Sequence, residues 1–218
     1  MAGLMALSTV VSAQKPFAGN VKRKLYVEGT TDPNITSQFP IEQQVTVMGN
    51  KVKTELSAQG IGQTMIVDGD NQVVTTILDV SMMGMGIYYS VDTAKAPENF
   101  SYSTKEDRND TKNIAGYNAH KVTWTQTNLE DDETMDVVFY VSDDFLPDFK
   151  DPQFPNLKGY QLMTIVTQGE GEDQYQVIDE VYEITPNKKV KSASFLLPEK
   201  AVPAAEGPAM IKQIFGVE

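Results

Sequence analysis

The sequence predicts a mainly β protein built on one large curved antiparallel sheet or a partly closed barrel. Apolar residues alternate with polar ones along roughly ten segments, the period-two signature of strands with one buried face. Turn residues, above all Gly and Asn, separate the early segments at hairpin spacing. Helical period is confined to three short stretches, and a sheet of about ten strands must curl or split because its twist accumulates.

Residues 2–11 are small or apolar apart from Ser8 and Thr9, and Val11-Ser12-Ala13 precedes Gln14 as the small residues that a signal peptidase reads. No Lys or Arg precedes this run. The expectation is a secretory leader over 1–13, or else an apolar first element of the fold. A single β-rich domain over 14–218, ending in a short helix, is expected to follow.

Over 20–28, Val21, Leu25 and Val27 share one parity while Lys22, Lys24 and Glu28 share the other, as in a half-buried strand. Ile41, Val45 and Val47 keep the same period over 41–48. Gly49-Asn50 then supplies the positive φ of a tight turn, and 51–56 returns as the second arm of a hairpin. The next hairpin runs over 64–67 and 73–80. Its turn is Asp68-Gly69-Asp70-Asn71, with Gly and Asn expected in left-handed geometry.

Further strands are expected at 103–108, 117–126, 134–142, 160–168 and 175–185. Short helices are expected at 92–99, 143–149 and 208–215, with Pro147, Pro152 and Pro155 stopping the second. The Ala- and Pro-rich tail 198–208 reads as a tether to the last helix.

The 218-residue chain has 18 Lys plus Arg against 30 Asp plus Glu, a formal charge of −12, and 40% hydrophobic residues. That apolar content suffices for one core without staples. No basic cluster is longer than Lys22-Arg23-Lys24, which opposes binding to phosphate backbones and anionic lipid surfaces. With no Cys, disulfides, thiolate nucleophiles and Cys-based zinc sites drop out, and a single His, His120, leaves few nitrogen ligands for a transition metal. No cofactor and no metal is expected. No run approaches the ~20 apolar residues of a membrane span, and without Cys no diacylglyceryl anchor is expected. The protein is therefore expected to be periplasmic or extracellular. Asn-x-Ser/Thr triplets begin at Asn34, Asn99 and Asn109, which matter only on a eukaryotic secretory route.

Four segments carry a family resemblance: Met65-Ile66-Val67-Asp68-Gly69-Asp70, Lys112-Asn113-Ile114-Ala115-Gly116-Tyr117, Lys158-Gly159-Tyr160 and Phe195-Leu196-Leu197-Pro198. Over about residues 20–200 the chain resembles a secreted bacterial family of unknown function allied to the LolA/LolB-like lipoprotein carriers. The resemblance implies an open half-barrel whose concave apolar face is covered by short helices or loops, a face that in carriers holds acyl chains. Between Gln14 and Asn20 there is no room for the carriers' long N-terminal amphipathic helix, so the cover must come from short inserts.

Candidate sites follow from residue type and parity. Met82, Met83 and Met85, flanked by Gly84 and Gly86, read either as an adaptable surface for apolar ligands or as ordinary edge packing. Trp124, Met135, Val137, Phe139 and Val141 share inward parity within their strands and line either a core or a cavity. The segment 143–158 carries Phe145, Leu146, Phe149, Phe154 and Leu157 between prolines and reads as a lid. The ligand-binding candidates are thus Met82, Met83, Met85, Trp124, Val137, Phe139 and Phe149.

His120 falls in phase with Val122 and Trp124 and reads as a core histidine in preference to a base. The acidic clusters lack the regular spacing of a calcium loop and read as solvated turns. Gly60-Ile61-Gly62 lacks the helix that a phosphate loop requires.

These readings favour a non-enzymatic module that holds a hydrophobic or lipid-like ligand. The alternative is an envelope structural or interaction module with a self-filled groove and a protein partner. A hydrolase using acidic side chains is least supported, because no nucleophile-base pair stands out.

Overall fold

The computed structural model describes residues 16–58, 60–93 and 97–217; the expected leader over 1–13 lies outside them. Twelve strands make one sheet: β1 (Ala18–Glu28), β2 (Ile41–Met48), β3 (Lys51–Ala58), β4 (Ile61–Asp68), β5 (Val73–Asp79), β6 (Ile87–Thr93), β7 (Phe100–Ile114), β8 (Tyr117–Asn128), β9 (Thr134–Val141), β10 (Gln161–Gln168), β11 (Tyr175–Pro186) and β12 (Ala201–Pro203). Their order is β12-β6-β5-β4-β3-β2-β1-β11-β10-β9-β8-β7. Two meanders, β1 to β6 and β7 to β11, are joined by the antiparallel pairing of β1 with β11. The helices are α1 (Pro33–Thr36) and α2 (Ala209–Phe215).

Chain connectivity forces the curvature. Ten strand spacings separate β6 from β7 in the sheet order, about 48 Å if the sheet were flat. Yet β6 ends at Thr93 and β7 begins at Phe100, and seven residue steps reach at most about 25 Å. The sheet curls until its two margins approach, an open half-barrel.

The strands expected from alternation are present, most extended by a few residues, and α2 occupies the last predicted helix. Two predicted helices are corrected. Asp92 and Thr93 complete β6, and 97–99 precede β7 as irregular chain and turn. The β-formers Ile87, Tyr88, Tyr89 and Val91 pair with β5, which overrides the weak helical period. The stretch 143–149 is a series of turns and bends, because Leu146 takes a left-handed φ of 48° that a helix does not accommodate.

The tail 198–208 does more than tether, since β12 within it pairs in parallel with β6. In the β4–β5 turn the left-handed residue is Gln72, at φ 54°. Gly69 is needed for close approach instead: a Cβ there would lie 2.8 Å from the Lys150 carbonyl oxygen and 3.2 Å from that of Asn50.

The segment 142–160 leaves β9, crosses the concave face and returns into β10. Phe145, Phe149 and Leu157 are buried in it. The Phe145 ring meets Phe17 and Tyr117 at 5.0 Å each and Tyr160 at 5.5 Å. Phe17 meets the ring edge-on and Tyr117 at a tilt, and these two contacts anchor the cover to the sheet.

Candidate functional site: a covered cavity on the concave face

Pleating sends alternate residues of each strand to the concave face, and the register brings them into rows. Arg23 stands opposite Gln43, Leu25 opposite Asp179, and Val177 opposite Val166. With Val52, Leu56 and Met65 from β3 and β4, and Phe149, Phe154 and Tyr160 from the cover, these side chains line a half-open cavity of about 350 Å³. One wall is aliphatic; the other is polar.

The polar wall centres on Arg23, only 6% exposed. Its parity with Val21 turns it inward, which splits the basic triplet Lys22-Arg23-Lys24 between the two faces. Its Nε donates to Asp179 Oδ1 at 2.9 Å, and Nη1 donates to the Gln161 carbonyl at 2.7 Å and the Tyr160 hydroxyl at 3.2 Å. Burial alone would lower the guanidinium pKa, but the Asp179 carboxylate and the Tyr160 oxygen outweigh it and hold Arg23 protonated. Burial also pushes the Tyr160 hydroxyl up, with Arg23 opposing.

On the cover, half-buried Asp151 faces the same cavity. Burial pushes its carboxyl from 3.8 up to about 6, against the pull of the Gln153 N–H and of Arg23. Gln161 is more fully enclosed, at 6% exposure, and its Nε2 has no hydrogen-bond partner among the described residues. An unpaired buried amide donor costs about 1–3 kcal/mol.

The neighbouring part of the concave face is filled by the protein itself. Trp124, Val137 and Phe139 are buried against Leu157 and Phe154. The Phe154 ring stands 4.8 Å from Phe139 and 5.4 Å from Trp124, and Trp124 Nε1 donates to the Pro155 carbonyl at 2.8 Å.

The structure therefore separates the sequence-derived candidates into three places. Phe149 lines the cavity. Trp124, Val137 and Phe139 come together beneath the cover, as their shared parity allows. Met82 and Met83 lie outside the cavity in a 3-10 turn, 84% and 52% exposed, while Met85 packs near Val80 and Ile211. Arg23, Asp151, Gln161 and Asp179 were not singled out from sequence. Parity with Val21 and Leu25 was the available signal for Arg23; the others meet it only through the fold.

His120 does share its face with Val122 and Trp124 and is buried. Its Nε2 lies 3.7 Å from the Glu106 carboxylate, too far for a hydrogen bond. Arg108 ties that Glu106 to Asp143. Asp68 spends its carboxylate on Lys51 of β3 and on Asn71 in the β4–β5 turn. Among the described residues no three His, Asp or Glu side chains converge as metal ligands, and no helix is long and apolar enough to cross a membrane.

No family model and no curated protein matches this chain. Among solved structures it is similar to a DUF1329 family protein from Desulfovibrio piger, at 9% identity and a TM-score of 0.26, covering 84% of this chain and 91% of that one. A likeness of that size carries no conclusion about family, ligand or function.

Proposed function

We propose that this chain is a periplasmic or extracellular, non-enzymatic binding protein that holds a hydrophobic or lipid-like ligand on the concave face of its half-barrel. The cavity between sheet and cover carries the reading. At about 350 Å³ it lies in the usual range of small-ligand sites. It corresponds to about a dozen water-sized volumes, room for one chain. The leader-like residues 2–13 support the location.

Burying a methylene contributes about 0.8 kcal/mol, about fourfold in affinity. Titration with a homologous series of alkyl ligands is the test. Affinity is expected to climb about fourfold per methylene and then level off once the cavity is full. Leu56→Trp, which projects a larger ring into the cavity and shortens the room for a chain, is expected to weaken binding without unfolding the sheet. Absence of saturable binding, or affinity indifferent to chain length and to Leu56→Trp, overturns the reading.

The second reading, an envelope interaction module, draws on the self-filled region around Trp124 and Phe139. It fits if the protein retains a protein partner and no lipid.

A further inference from the structure

The polar wall holds more hydrogen-bonding capacity than the fold consumes. Gln161, 6% exposed and lining the cavity, has an Nε2 without a partner among the described residues. Its neighbour across the cavity, Gln43, is also enclosed and turns toward the same space.

No surplus positive charge remains there. Arg23 is matched by Asp179 at 2.9 Å. The other acid facing this pair is Asp151, and Tyr160 adds a neutral hydroxyl. With Asp151 protonated the set sums to zero; with it ionised, to minus one. No positive charge is left over for an anionic head group. A quaternary ammonium head would find Asp151 but, having no acceptor, would leave the Gln161 N–H unpaired. An occupant that pairs the Gln161 N–H needs an oxygen acceptor on an uncharged head, and a hydroxyl there can also meet the Gln43 amide, which lines the same cavity.

Resting on the ligand-binding reading above, we propose that the cavity selects an uncharged, single-chain amphiphile, of which a monoacylglycerol is the simplest form. Its oxygens sit among Arg23, Gln43 and Gln161, and its chain lies along Leu56, Val166 and Val177.

The test is calorimetric titration of the protein at about pH 5, where Asp151 is protonated and the wall carries no net charge, with dodecyl-chain probes below their micelle concentrations. The probes are monododecanoylglycerol, dodecanesulfonate and dodecyltrimethylammonium. The glycerol ester is expected to bind at least about tenfold more tightly than either charged probe. Gln161→Leu is expected to weaken the ester about fivefold to tenfold, the worth of one hydrogen bond between uncharged groups, while leaving the trimethylammonium probe within about twofold. Gln43→Leu gives the same comparison if Gln161→Leu does not fold.

A charged probe that equals or exceeds the ester overturns the proposal, as does an ester affinity unmoved by both substitutions. If all three bind alike, the cavity is a chain site and only the head-group inference falls. If none binds, the ligand-binding reading falls with it.

Discussion

Asp151→Asn is expected to stabilise the protein at neutral pH and to do nothing in strong acid. The Asp151 carboxyl rises from 3.8 to about 6 on folding because the cover holds it against the cavity wall. The folded state therefore binds more protons than the unfolded state between those two values. Stability is lost as pH rises through that window, and the full penalty persists above it. At about 1.4 kcal/mol for each tenfold change in proton affinity, the penalty reaches about 3 kcal/mol. Water in the half-open cavity trims it to about 2–3 kcal/mol.

Asparagine removes the charge and keeps the oxygen that accepts from the Gln153 N–H at 3.0 Å. Urea unfolding of both proteins at intervals from about pH 3.5 to 8 measures the difference directly, since every other titrating group cancels. The two curves are expected to coincide below about pH 3.8, diverge up to about pH 6 and run parallel above it. A difference that does not change with pH, or a less stable variant at pH 8, would refute the assignment of Asp151 to a desolvated site.

The remaining expectations use the same unfolding measurement. Asp179→Asn leaves Arg23 buried without its counter-charge and is expected to cost about 3–5 kcal/mol. Arg23→Met is expected to cost less, because it releases a carboxylate whose side chain is 24% exposed; the reverse order contradicts the buried-charge account. Phe139→Ala, at a residue with 0% exposure, is expected to lose about 3–5 kcal/mol. Met82→Ser is expected to stay within about 0.5 kcal/mol, and comparable losses would mean that the concave face is misassigned. Gly69→Ala drives a Cβ against the Lys150 carbonyl and is expected to cost about 1–3 kcal/mol; a neutral result would show that the cover does not press on the β4–β5 turn.

The sheet was legible wherever one face is buried and the other wet. Ile41, Val45 and Val47 announce β2, and the Gly49 turn announces its hairpin, because a pleated strand with one buried face imposes a period of two and a helix does not. β6 was not legible: Ile87 to Ser90 are all half-buried, so no alternation marks them, and the preceding methionines carry no period. β12 is three residues long and contains Pro203, too short for any pattern.

The aromatic residues of 143–158 were visible as a group, and they lie across the concave face, but their turn conformation depends on Leu146 adopting a left-handed φ that sequence does not reveal. The polar wall was hidden for a different reason. Arg23 reaches the Gln161 carbonyl across 138 residues of sequence, a contact set by the β1–β11–β10 register and not by any local motif. Its inward parity was readable, yet flanking lysines made it look like part of a solvated basic run.

The most direct measurement is native mass spectrometry of the protein secreted to a bacterial periplasm and purified without detergent, followed by solvent extraction of whatever accompanies it. The account expects a one-to-one adduct that yields a single-chain lipid, diminished in the Leu56→Trp variant. A clean ligand-free mass that persists after incubation with total lipid extract would contradict it.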